Sequence, residues 1–301
     1  MRALVTGAGG FVGRHLVEHC RAQGDDVTAV DVDCDVTDAD RVREVVRAAS
    51  PEVIYHLAAL SSVADSWSDP AAYTRVNVLG THHVLAAAHE VASCAVVLVS
   101  SADVYGVVDE RDLPLVETHA PSPASPYAQS KLEAEGFARR AARDGLRVLI
   151  ARPFPHLGPG QSTRFAVPAL TARLLEARDR RLPAIAVGEL RARRDYTDVR
   201  DVVRAYRLLS EFGRSGETYH VSSGHDIELG ALAALLAARL DLDVAFEVDP
   251  TLLRPVEVPV LRGNFAKLHE VSGWEPEITL SQSLDDVIRD VEARRQSGTL
   301  A

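Results

Sequence analysis

Short, almost wholly apolar runs alternate with longer amphipathic ones through the first half of this chain, and nothing else in the sequence restricts the fold as strongly. Residues 3–6, 27–31, 53–57, 95–99 and 148–151 have the length and near-continuous apolarity of strands buried on both faces. Between most of them, residues 11–22, 39–49, 71–91 and 125–144 space their apolar positions as amphipathic helices do. Such alternation predicts an α/β fold: a doubly wound parallel sheet with helices on both faces. One crossover is short. After Val30 the acidic segment DVDCDVTD follows at once, so the usual helix after the second strand is expected to be trimmed to a turn.

Beyond about residue 152 the pattern loosens. Pro153, Pro155, Pro159 and Pro168 interrupt it, and short helices and isolated strands are expected. This reads as a smaller C-terminal α/β cap gathered around a substrate. The expected division is 1–152 for dinucleotide binding and 153–301 mainly for the cap, with some segments returning to the main sheet. No repeat, low-complexity run or flexible linker separates the two.

A chain of 301 residues, 47% of them apolar, can bury one large core or two unequal ones. Its 43 acidic against 33 basic residues give a net charge of -10, which argues against a nucleic-acid partner. A small anionic ligand remains compatible, because a local basic cluster can sit on an acidic surface. Cys20, Cys34 and Cys94 show no CxxC spacing, which suits a reducing cytoplasm. No run has the length of a membrane span, and no leader-like stretch precedes the first strand, so a cytoplasmic protein is expected. Neither an HExxH motif nor a cysteine cluster points to a metal. His82 and His83 are adjacent on a helix and diverge, and His56 is expected to be packed.

The first strand runs into TGAGGFVG and then a helix. Glycines at 7, 10 and 13 let backbone N–H groups and a helix N-terminus face a pyrophosphate, and Gly13 lets the helix lie close on the sheet. Gly7, Gly10, Phe11, Val12 and Gly13 are therefore candidate cofactor-binding residues of a Rossmann-type fold. Asp31 stands at the end of the second strand, where a carboxylate bonds both ribose hydroxyls and repels a 2′-phosphate. That favours NAD, with NADP as the alternative. Asp33 competes for the role, and Asp35 and Val36 could meet the adenine edge.

Tyr127 and Lys131 form Y-x-x-x-K at the start of a helix, so both side chains share one face. A phenol with an ordinary pKa of about 10 becomes a usable acid or base beside an ammonium. Ser100 and Ser101 end the strand at 95–99, where open parallel sheets bind ligands. A serine hydroxyl there would polarise the oxygen beside Tyr127. The set indicates hydride transfer at a carbinol carbon.

These motifs resemble the extended short-chain dehydrogenase/reductase family: TGAGGFVG, HLAA at 56–59, NVLGT at 77–81, SSADVYG at 100–106 and YAQSK at 127–131. The resemblance covers nearly the whole chain. It implies Ser101 rather than Ser100 in the hydroxyl role, and Leu57, Ala58 and Ala59 along the cofactor. Lys131 would also hold the nicotinamide ribose, and Asn77 would be a structural or cofactor-side residue. RPFPHLGPGQS, RRDYTDVRDVVRAY and LRPVEVPVLRG are similar to GDP-4-keto-6-deoxy-mannose reductases and GDP-mannose 4,6-dehydratases. By that resemblance Arg194 and Arg254 clamp a sugar-nucleotide diphosphate and Glu257 holds a ribose hydroxyl. Ala102, Asp103 and His156 would meet the sugar. It also implies a homodimer through the helix bearing Tyr127 and the stretch at 71–91.

Two positions depart from that pattern. Pro155 replaces the usual asparagine of RPFNH, and Asp103 replaces a glutamate one methylene longer. The second makes dehydration less favoured, since elimination needs a well-placed base. The leading expectation is reduction of a GDP-4-keto-6-deoxy-hexose at C4, with Tyr127 as proton donor. A nucleotide-sugar 4-epimerase retaining NAD comes next, then a 4,6-dehydratase. Outside enzymes, the rival is a dinucleotide-binding sensor.

Overall fold

The computed structural model describes residues 1–253 and 256–300. In the first half the elements run β1 (Arg2–Thr6), α1 (Phe11–Ala22), β2 (Asp26–Val30), α2 (Ala39–Ala49) and β3 (Val53–His56). Then come short α3 (Val63–Ser66) and α4 (Pro70–Tyr73), α5 (Gly80–His89), β4 (Ala95–Val99), α6 (Pro126–Arg143) and β5 (Arg147–Pro153). The second half supplies β6 (His156–Leu157), α7 (Ala166–Arg180), β7 (Ala184–Val187), β8 (Arg193–Asp195), β9 (Thr197–Asp198) and α8 (Val199–Phe212). It closes with β10 (Thr218–Val221), β11 (Asp226–Glu228), α9 (Leu229–Arg239), β12 (Ala245–Val248), β13 (Val260–Leu261), α10 (Ala266–Ser272) and α11 (Leu280–Gln296).

The main sheet is six-stranded and parallel, in the order β10-β5-β4-β3-β1-β2. Register places Leu4 beside Ile54, Ile54 beside Val96 and Val96 beside Val148. Because side chains alternate across a strand, these residues face one way and bury against α2, α5 and α6. Val5, Tyr55, Val97 and Leu149 face the other way, into a core with α1, α8, Leu268 of α10 and Trp274. The doubly wound arrangement follows directly from apolarity on both faces. β10 and α8 reach this layer from the second half. Around β7, helices α7, α9 and α11 enclose a separate apolar cluster, and the remaining strands form two- and three-stranded ribbons.

Two details differ from the expectation. β2 was expected to be buried, yet it pairs only with β1, and Thr28 and Ala29 are exposed. The stretch 31–38 is the turn its shortness implied, and α2 beyond it crosses to β3, so no strand covers the outer side of β2. The stretch 71–91 is not one helix but α4, a π-helical turn at Thr74–Leu79, and α5. Asn77 within that turn donates to the Leu60 carbonyl (3.0 Å) and accepts from the Leu60 amide (2.8 Å). Such turns are rare and occur mostly as single-turn bulges within α-helices. Among the described residues, no helix is long and apolar enough to cross a membrane.

A buried ion pair joins the layers. Arg152 of β5 donates to both carboxylate oxygens of Glu135 on α6, each at 2.7 Å, and both residues are fully buried. Ser100 Oγ donates to the same carboxylate (2.6 Å), and Arg152 also donates to the Tyr105 hydroxyl (2.6 Å), which lies 2.6 Å from His220 Nε2. Burial pushes Glu135 up, but the hydrogen bonds and charge of Arg152, with Ser100 and the Arg139 charge, together outweigh it and hold the carboxyl below its usual range. Burial, reinforced by Arg152, pushes His220 down to about 3, so its imidazole is neutral. Removing one partner leaves a buried, uncompensated charge. Glu135→Ala should therefore lower unfolding stability by about 3–5 kcal/mol in urea titration; a loss under about 1 kcal/mol would mean the pair does not brace the fold.

Candidate active site

The C-terminal ends of β1, β3 and β4 open onto a cleft of about 800 Å³. Its first wall is the glycine turn. Gly7 has φ +69°, and a Cβ there would lie 2.8 Å from the Ala58 amide nitrogen. A Cβ on Gly13 would lie 2.1 Å from the Gly7 carbonyl, so α1 packs this tightly only without a side chain. Gly10 caps α1 and offers no side-chain acceptor, which leaves the first-turn N–H groups for a ligand. Gly7, Gly10, Phe11, Val12 and Gly13 all line the cleft. The turn therefore suits an anionic pyrophosphate.

At the edge of this wall lies Asp31, whose carboxylate rests against Gly9: a Cβ on that glycine would lie 2.1 Å from Asp31 Oδ2. Asp33 Oδ1 accepts from the Asp31 amide (2.8 Å), so the rival carboxylate is engaged in the turn. Asp31 and Asp33 also border a neighbouring groove of about 530 Å³ together with Arg14 and Arg21. Asp35 accepts from both the amide and the hydroxyl of Thr37, and those bonds hold its carboxyl below the usual range. Asp35 and Val36 line the cleft, as do Leu57, Ala58 and Ala59. His56 lies beneath, between the hydroxyls of Thr6 (2.8 Å) and Thr81 (3.1 Å), and burial pushes it down to about 3. It is packed and neutral.

On the floor, Ser101 caps a 3-10 turn at Ala102–Tyr105. Its Oγ accepts from the Asp103 amide (3.1 Å) and donates to the Asp103 carboxylate (3.2 Å). Ser100 points away, to Glu135. α6 begins with Ser125 accepting from the Ala128 amide and Pro126 in the first position, a strong start signal that sets the direction of Tyr127 and Lys131. Burial raises the Tyr127 phenol well above its ordinary value, the nearby Asp103 charge adds to this, and the Ser101 hydroxyl opposes it. Lys131 Nζ donates to the Val99 carbonyl (3.0 Å) and lies 6.0 Å from the Tyr127 ring centre. Burial pushes it down to about 8, with Glu135 pulling the other way. Asn77, whose amide also donates to Ser130 Oγ (2.9 Å), ties the loop after β3 to α6.

At the far end, Arg194 of β8 lines the cleft and donates to Glu257 (2.6 Å) and to the Arg193 carbonyl (2.9 Å). The two residues expected to hold different parts of a ligand are thus paired with each other. Arg193 turns to Asp226 (2.6 Å) instead. Arg254 lies outside the described residues. Ala102 and Asp103 line the cleft beside Ser101. His156 stacks on Phe11 (6.1 Å between ring centres), with Nδ1 3.0 Å from the Phe154 carbonyl oxygen. It therefore sits against the glycine turn. The Pro155 carbonyl accepts from the Thr197 amide (3.0 Å), which is how β6 meets β9.

Sequence reasoning did not single out two features here. Glu135 lies four residues beyond Lys131, so the helical repeat did carry a signal for it. Tyr206, fully buried on α8 yet lining the cleft, had none, because nothing local marks which side of that helix meets the site. No cluster of three or more His, Cys, Asp or Glu residues suited to a metal occurs among the described residues.

A family model described as GDP-mannose 4,6 dehydratase matches residues 29–287. GDP-6-deoxy-D-mannose reductase of Pseudomonas aeruginosa is 37% identical over 299 residues, covering 97% of this chain and 98% of the relative. The structure of RMD from Pseudomonas aeruginosa complexed with NADPH superposes with a TM-score of 0.89 at 34% identity, covering 98% of this chain and all of that one. Thermus thermophilus UDP-glucose 4-epimerase in complex with NAD gives 0.87 at 27% identity, covering 97% and 99%. With the glycine turn, the Ser101, Tyr127 and Lys131 cluster and a family match across most of its length, the chain belongs to the GDP-mannose 4,6 dehydratase family of extended short-chain dehydrogenases/reductases.

Proposed function

We propose that this protein is an NAD(P)H-dependent reductase of a GDP-4-keto-6-deoxy-hexose. One observation carries the reading: Ser101, Tyr127 and Lys131 converge on one cleft that the glycine turn and Arg194 also line. The near full-length similarity to a GDP-6-deoxy-D-mannose reductase supports GDP as the carrier. Residues 1–152 serve the dinucleotide and 153–301 mainly the sugar nucleotide.

When bound, the reduced nicotinamide supplies the hydride. The protein supplies the proton and the geometry. Tyr127 donates its phenolic proton to the C4 oxygen, and Ser101 hydrogen-bonds that oxygen as charge develops on it. Burial and the Asp103 charge favour the neutral phenol, which is the form a reduction requires before each turnover. Lys131 then steadies the phenolate and holds the nicotinamide ribose. Arg194 uses guanidinium N–H groups for the diphosphate, with Arg254 as its partner in the clamp and Glu257 on a ribose hydroxyl. Ala102 and Asp103 border the sugar, while His156, stacked on Phe11, stays against the glycine turn. Asp31 favours NADH at the adenosine ribose, while the groove bearing Arg14 and Arg21 suits a 2′-phosphate.

A 4-epimerase is the second reading, favoured by Asp31, since a recycled cofactor is commonly unphosphorylated. Purified protein should oxidise NADPH or NADH with a GDP-4-keto-6-deoxy-hexose. Tyr127→Phe should cut kcat by about 10²–10⁴-fold without weakening NADPH binding. No turnover, together with near-stoichiometric NAD released on denaturation, would transfer the assignment to the epimerase.

The pH profile follows from Lys131. Its ammonium is the active form, and burial has brought its pKa down to about 8. Reductase kcat should therefore fall as pH rises through about 8; a flat profile up to pH ~10, the ordinary range for a lysine, would remove the charge role.

Leu79 is exposed at the start of α5, and a Cβ on Gly136 of α6 would meet nothing within 4 Å. These helices form the interface of a homodimer. Light scattering should give twice the chain mass of 32.5 kDa; a monomer alone would overturn this.

A further inference from the structure

We infer that the hydroxyl of Tyr206 is a binding group for the nicotinamide end of the dinucleotide, an inference that rests on the function proposed above. Tyr206 is fully buried, its side chain lines the cleft, and its hydroxyl has no hydrogen-bond partner among the described residues. A buried phenol normally finds a partner, and phenylalanine would fill the same apolar space without the cost of an unpaired hydroxyl. A partner therefore has to come from whatever occupies the cleft.

Position identifies that partner. α8 packs on the sheet face that carries α1, and Tyr206 belongs to the cluster that includes Phe11, Val12, Leu57 and Val99. Those four residues are the glycine-turn start of α1 and the ends of β3 and β4. Tyr206 thus approaches from the face of the sheet that carries α1, whereas Tyr127 arrives from α6 on the opposite face. Burial raises the Tyr206 phenol strongly, and Tyr127 is near enough to raise it further. Tyr206 stays neutral and keeps its proton to donate. Hydride transfer brings the nicotinamide C4 beside the substrate carbon next to Tyr127. A neutral donor lying between the glycine-turn core and Tyr127 is placed for the carboxamide oxygen on that ring. Arg194 and Glu257, at the sugar-nucleotide end, come from the separate ribbon of β8 and the segment before β13.

Tyr206→Phe in the full chain tests this through binding. Fluorescence titration should show about tenfold weaker NADPH binding, one hydrogen bond's worth. Affinity for 2′-phospho-ADP-ribose, which lacks nicotinamide, should be unchanged, and the melting temperature without ligand should be equal or higher. Equal NADPH affinities in the two proteins would overturn the inference, as would parallel losses for both ligands, which mark a structural effect. If the unaltered protein bound neither of these ligands nor NADH, the dinucleotide reading itself would fall and this inference with it.

Discussion

The pair between Arg152 and Glu135 is the interaction on which the geometry of the site depends. α6 packs on one face of the sheet, and the side chains that matter project from its first two turns over the sheet edge. A helix held only by apolar contacts can slide or rotate by a fraction of a turn at little cost. A bidentate guanidinium–carboxylate contact cannot, because two parallel hydrogen bonds define both distance and angle. Glu135 therefore fixes α6 against β5, and Lys131, one turn earlier on the same face, inherits that position.

The same carboxylate sorts the two adjacent serines. Ser100 donates to Glu135, and the chain reversal of the following 3-10 turn leaves Ser101 facing Tyr127. Tyr105 and His220 extend the network to β10, so the strand added from the second half is tied to the same centre. A buried polar network gives little net stability over an apolar one but is costly to break. Here it ties α6, with Tyr127 and Lys131, to β5 and β10.

The second half is built differently. Its ribbons are short, and polar side chains rather than a continuous sheet hold its loops. Asp195 shows this: its buried carboxylate accepts from the amides of Ser223, Gly224 and Gly263 and from the Ser223 hydroxyl. Two segments distant from β8 converge on one side chain. Such a cap can vary its loops while the glycine-turn wall stays unchanged.

Much of this architecture was legible in local sequence. Periods of 2 and 3.6 residues, the TGAGGFVG turn and the Tyr127–Lys131 spacing are short-range features, and each constrains backbone geometry within a few residues. They determined the first five strands, both ends of α1 and α2, the glycine wall and the shared face of Tyr127 and Lys131. Tertiary structure alone decided the rest. Arg152 meets Glu135 across 17 positions, and Tyr105 meets His220 across 115. The exposure of β2 depends on the absence of a neighbouring strand. The π turn around Asn77 depends on a loop 17 residues earlier. His156 and Tyr206 take their directions from the packing of β6 on β9 and of α8 on the sheet. Those contacts arise only when distant segments compete for one buried space, and no local pattern records which of them wins.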